Sequence, residues 1–123
     1  MVEAAPVPTT VVTGARASDR ENCIASAIAA GPASRIAVLI EGMPDGRTVL
    51  EEGPDLHVAR VASGCLCCTG NLVMKVTLNR LLRLRPSRIY IGVANSAHLS
   101  SLRELLSSPQ YATRIQLEDD LAA

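Results

Sequence analysis

The order of apolar and polar positions divides this chain into short apolar runs separated by polar, glycine-bearing segments. Thr9 to Thr13 is a β-branched run that reads as a buried strand. From about Asp19 to Ala30 the period changes, with Ile24, Ala27 and Ile28 on one face of a helix that Gly31-Pro32 terminates. Arg35 to Ile40 (RIAVLI) is continuously apolar after its first residue, as strands covered on both faces of a parallel sheet are. Glu41 to Asp55 reads as loop, with a short strand at Thr48 to Leu50, and Leu56 to Ala62 is a third extended segment. Asn71 to Leu84 predicts a helix whose apolar face carries Leu72, Val73, Val76, Leu81 and Leu82, ended by Pro86. Ile89 to Val93 is another buried strand, and Ser96 to Leu106 a short helix with Leu99, Leu102, Leu105 and Leu106 in register. A last strand is expected at Arg114 to Leu117, before the acidic residues Glu118, Asp119 and Asp120.

Strands alternating with helices predict an α/β fold, a three-layer sandwich around a mostly parallel sheet with right-handed crossovers. A chain of 123 residues suits one hydrophobic core. The expected organisation is a flexible N-terminus over 1–8, a single α/β domain over 9–117 and an acidic tail over 118–123.

Composition removes several function classes. The chain has no Phe or Trp and two Tyr, so it lacks the stacking platforms of a single-stranded nucleic-acid reader. Twelve basic residues balance twelve acidic ones, which removes the charge footprint of a DNA binder. The start, Met-Val-Glu-Ala-Ala-Pro, has neither the basic nor the apolar region of a signal peptide. The longest apolar stretch, Cys23 to Ile40, is interrupted by Gly31-Pro32 and Arg35 and is not a membrane span. A cytoplasmic location is therefore expected. Cysteines stay reduced there, so the four in this chain point to metal or redox chemistry rather than disulfides.

Three of the four stand in Gly64-Cys65-Leu66-Cys67-Cys68. Cys65 and Cys68 have the C-x-x-C spacing that turns two sulfurs onto one ion, and Cys67 adds a third thiol. A soft thiolate set favours zinc, with cobalt or copper as alternatives. The cluster lies between a predicted strand end and a predicted helix start, where amide dipoles stabilise the ligating thiolate form. Spacing leaves the fourth ligand open. His57, Asp45, Glu41 and His98 are candidates, with His57 preferred, and a water-filled position is the alternative. A redox C-x-x-C is the competing reading of the cluster, and Cys23 reads as a small buried hydrophobe.

The first strand, Thr13-Gly14 and the following helix have the order of a phosphate-binding loop, which requires G-x-x-x-x-G-K-[ST]. Counted from Gly14, Asp19 replaces the second Gly, Arg20 the Lys and Glu21 the Ser or Thr. Ser18 to Glu21 also fits S-x-x-E, a capping box worth about 1 kcal/mol that would occupy the amides a phosphate needs. Gly14 and Arg20 are what remains of a phosphate loop, and tight GTP binding is not expected.

The run TVVTG, a helix, RIAVLI, SGCLCCTGNL, a helix and RIYIGV resembles the CobW-type metal-linked P-loop GTPases over roughly Thr9 to Leu117. GCLCC matches the family's G-C-x-C-C, so the resemblance assigns the metal role to Cys65, Cys67 and Cys68. It implies a truncated P-loop G-domain-like scaffold in a family associated with zinc or cobalt delivery driven by GTP hydrolysis. Other motifs depart from the family. Gly92, Val93, Ala94 and Asn95 stand in place of its E-T-S-G-like turn, and Glu41-Gly42-Met43-Pro44-Asp45 in place of N-E-F-G-E. The combined expectation is a metal-binding, zinc-preferring protein without a competent nucleotide site, a buffer or metallochaperone-like partner with no catalytic residue of its own. A GTP-hydrolysing metallochaperone with an atypical loop, an interaction subunit and a thiol redox protein are the alternatives. Expected partners are the metal ion and either a second copy or a protein client, with no nucleic acid and no membrane.

Overall fold

The computed structural model describes residues 6–14, 16–31, 35–42, 50, 52–61, 72–94 and 99–123. Their strands are β1 (Val7–Thr13), β2 (Ile36–Glu41), β3 (Leu56–Val61), β4 (Arg88–Val93), β5 (Ile115–Leu117) and β6 (Leu121–Ala122). The helices are α1 (Ala17–Ala30), α2 (Leu72–Arg83) and α3 (Leu99–Leu106). The sheet has the order β3-β2-β4-β1-β5, with β6 also pairing β1. All the strand pairings between these elements are parallel, as the β-α alternation predicts.

The two central strands explain why the apolar runs are continuous. Every residue of β2 is buried, as are Ile89 to Val93 of β4, because helices cover both faces of the sheet. One core layer joins Val11, Leu39, Ile89 and Ile91 to Met74, Leu78 and Leu81 of α2 and Leu102 and Leu106 of α3. The opposite layer packs Val12, Val38, Ile40 and Tyr90 against Ile24 of α1. Cys23 is a free, half-buried thiol packed against this second layer.

Several expectations are corrected. The face of α2 against the sheet is Met74, Leu78 and Leu81, spaced i, i+4, i+7, whereas Val73 and Val76 are 47% and 51% exposed. Two stripes compete on this helix, and the one that meets the sheet is rotated from the one the apolar count favours. The sheet also extends past both ends of the expected 9–117 domain. β1 starts at Val7, and residues 118–123 are anchored to β1 through Glu118 N to Thr9 O and Ala123 N to Thr13 O. The strand expected at Thr48 to Leu50 falls mostly outside the described residues, where Leu50 alone is described, as a buried bend. α2 ends through Arg85 at φ 54°, a left-handed stop directly before Pro86.

Candidate functional site at the carboxyl edge of the sheet

Open parallel sheets bind ligands beyond the carboxyl ends of their strands. Here Thr13, Glu41, Val61 and Val93 are those ends, brought level by the registers Thr13↔Val93 and Glu41↔Val61. Gly14 follows β1, Gly42 follows β2 and Ala94 follows β4. Gly42 has φ 97°, a conformation that favours glycine, and its N–H donates to Val61 O at 2.7 Å. Gly14 is required by space. A Cβ there would lie 2.9 Å from Ala123 Cβ and 3.1 Å from Arg20 Cγ.

Arg20, Glu21 and Glu41 are buried at this edge, at 3%, 1% and 2% exposure. The Arg20 guanidinium donates from Nη1 to Gly14 O at 2.7 Å and from Nη2 to Glu41 O at 3.3 Å. It therefore ties the ends of β1 and β2 together, while its Nε is buried with no hydrogen-bond partner among the described residues. Glu21 receives Arg60 in a fork, Nη2 to Oε1 at 2.9 Å and Nη1 to Oε2 at 3.2 Å. Glu41 Oε1 accepts Ala94 N–H at 2.8 Å, crossing from the end of β2 to the end of β4.

The expected capping box does not form. α1 starts at Ala17, and its N-cap is Arg16 in an extended conformation, whose side chain makes no capping hydrogen bond. Ser18 is thus inside the helix, and Glu21 is drawn to Arg60 on β3 instead of back to the first turn. A two-point charged pair outweighs a local cap of about 1 kcal/mol. Sequence reasoning missed Arg60, because a half-exposed strand arginine carries no local signal of a partner 39 residues away.

Cys65, Cys67 and Cys68 lie outside the described residues, as do Asp45, Asn95 and His98. The chain runs toward the cysteines from Val61, at the same carboxyl edge. His57 sits near the other end of β3, four residues before Val61, or roughly 13 Å at the rise of a strand. Glu41 is in register with Val61 itself. Among the described residues, no group of three His, Cys, Asp or Glu could hold a metal ion.

The sequence model of the CobW/HypB/UreG nucleotide-binding domain matches residues 8–119. The chain belongs to this family. Its sheet and helices agree with the P-loop G-domain-like α/β scaffold that the resemblance implies. A curated relative, "Zinc chaperone YeiR" of Escherichia coli (strain K12), is 31% identical over 119 residues, which cover 92% of this chain and 36% of the relative. The chain thus spans little more than a third of that relative's length. No solved structure matches it. Among the described residues, no helix is long and apolar enough to cross a membrane.

Proposed function

We propose that this family member binds zinc as cargo through Cys65, Cys67 and Cys68, and that it does so in the cytoplasm without needing a nucleotide. The chain would hold the ion as a buffer or pass it to a protein client by ligand exchange. Three thiolates suit zinc, and a fourth position left to an exchangeable ligand suits transfer. Glu41 and His57 are the described candidates for that position. Glu41 has the shorter route, being level with the point where the chain leaves β3 for the cysteines.

The observation that carries the nucleotide-independent part is the engagement of Arg20. At the position of the phosphate-loop lysine, both its terminal nitrogens are held by carbonyls of its own scaffold. At the position of the Mg²⁺-ligating hydroxyl, Glu21 is held by Arg60 and adds negative charge where phosphates would sit. These residues fit GTP poorly.

A second reading, GTP binding by an atypical loop, draws on two other observations. The N-cap side chain of α1 makes no capping hydrogen bond, and Arg20 Nε is buried without a partner among the described residues. Metal analysis and calorimetry separate the readings. Protein purified under reducing conditions is expected to carry near-stoichiometric zinc, lost when all three cysteines are changed to Ser, and to give no heat with GTP and Mg²⁺. Wild-type protein unable to take up zinc sinks the first reading. Micromolar GTP affinity establishes the second.

A further inference from the structure

Among the described residues, β3 is an outer strand of the sheet, paired with β2 on one side only. Asp55 O accepts Ile36 N–H and Val61 O accepts Gly42 N–H, so the odd-numbered residues face β2. Leu56, Val58 and Arg60 therefore turn their backbone groups away from β2. Those of Leu56 are taken by Gly53, whose N–H donates to Leu56 O at 3.0 Å and whose O accepts Leu56 N–H at 3.3 Å, which leaves Val58 and Arg60 as the outward stretch. The N–H of Val58 is already bound to a carboxylate, Glu52 Oε1 at 3.2 Å. Between this edge and α2 lies a groove of about 360 Å³ lined by His57, Val58 and Ala59 on one side and Thr77, Arg80 and Leu84 on the other.

The helix on the far side is charged in one sense. Residues 72–88 contain Lys75, Arg80, Arg83, Arg85 and Arg88 and no Asp or Glu. Arg88 pairs with Glu118, whereas Arg80 and Arg83 have no ion-pair partner among the described residues. Val73, Val76, Arg80 and Arg83 fall at i, i+3, i+7, i+10, an exposed stripe that is apolar at one end and cationic at the other. An edge strand, a groove with mixed polar and apolar walls, and the arginines of α2 without ion-pair partners among the described residues together fit strand addition by an acidic chain.

We propose that the β3 edge and the groove beside α2 bind an extended acidic segment of a partner protein as an added strand, with the Glu52 carboxylate holding the place of an incoming one. This docking is independent of metal and nucleotide, so it can fail while the zinc reading stands, and the reverse. The incoming strand would bond to Val58 after displacing Glu52, set alternate side chains into the groove and place its carboxylates near Arg80 and Arg83.

Fluorescence anisotropy of a labelled alternating valine–glutamate peptide tests it, with a valine–lysine peptide as control. The glutamate peptide should bind and the lysine peptide should not. Arg80→Glu should weaken binding about tenfold through charge. Val58→Pro should weaken it about as much, about tenfold, through the lost edge donor, while leaving the β2 ladder intact because that N–H faces away from β2. Glu52→Ala should strengthen binding by removing the competing carboxylate, an effect that bulk charge attraction through Arg80 does not require at Val58. Circular dichroism on each variant confirms the fold. The proposal is overturned by no binding at about 1 mM peptide, by equal binding of the lysine peptide, or by a folded Val58→Pro variant that binds normally. Self-association abolished by Arg80→Glu would identify a second copy as the occupant and also overturn it.

Discussion

The carboxyl edge of the sheet and the helix α2 treat arginine in opposite ways. At the carboxyl edge Arg20 is buried with both terminal nitrogens on backbone carbonyls, and Arg60 forks onto a Glu21 that is itself buried. Along α2, Arg80 and Arg83 stand exposed with no ion-pair partner among the described residues. The first region sits where the family's scaffold would receive phosphates, yet Glu21 is paired with Arg60 and both terminal nitrogens of Arg20 are held by carbonyls. The second lies along a helix, and its charges have no ion-pair partner among the described residues. Charge that is already paired holds elements together, and charge that is unpaired recruits something else.

The largest effect that can break this contrast is expected at the Arg60–Glu21 pair. Its side chains are 19% and 2% exposed, so removing Arg60 strands a carboxylate in a nearly dry position. Arg60→Ala is expected to cost about 3 kcal/mol of unfolding free energy, read from urea denaturation. Replacing both partners, as Glu21→Leu with Arg60→Met, should recover most of that loss, since an apolar pair of similar volume needs no compensation. If Arg60→Ala is neutral, the carboxyl-edge network is no more structural than the exposed arginines and the distinction falls.

That pair also marks the limit of what the sequence makes legible. The strands RIAVLI and RIYIGV were readable because burial on both faces leaves an uninterrupted apolar run. The fold class followed from their alternation with helices. Glu21 was not readable, because S-x-x-E describes a local cap while the energy that decides its orientation comes from a different strand. The facing of α2 failed for a related reason. Val73 and Val76 count toward apolar periodicity as fully as Met74 and Leu78 do, and only the sheet selects between the stripes. β6 had no signal at all, because two residues become a strand only when β1 offers its edge. The candidate metal ligands stand on chemistry and spacing, since Cys65, Cys67 and Cys68 lie outside the described residues.

A smaller effect sharpens the comparison from a third position, the pair of Arg88 on β4 with Glu118. The hydrogen bond from Arg88, and then the Arg88 charge, lower the Glu118 pKa below its ordinary 4.5 against the opposing effect of burial. Arg88 stays protonated throughout, so the carboxylate alone titrates. A depressed carboxylate contributes stability that is present above the unfolded pKa near 4.5 and is lost as pH falls through the folded value. Glu118 is 35% exposed, and screening holds the contribution to about 0.5 kcal/mol. Glu118→Gln should therefore be slightly less stable than the parent at neutral pH and equal to it in acid, by thermal unfolding across that range. A difference that persists unchanged below the folded pKa would assign the effect to packing instead of charge.

The smallest expected effect is the most informative about α2. Arg80→Ala and Arg83→Ala each remove an exposed charge without an ion-pair partner among the described residues, so each should change stability by less than about 0.5 kcal/mol, with the lost interaction at the carboxyl end of the helix dipole as the opposing cost. Alanine is also the better helix former, and the substitutions thin a run of like charges. Both offset the lost interaction with the helix dipole and bring the net change toward zero. The same Arg80 position should nonetheless be sensitive in the peptide-binding assay, where its charge meets an acidic strand. A large loss of stability in Arg80→Ala would mean that its guanidinium is engaged within the fold, as that of Arg20 is, and would erase the contrast between the two regions. Stability unchanged with binding lost would separate them cleanly, one set of arginines holding the sheet together and the other facing outward to a partner.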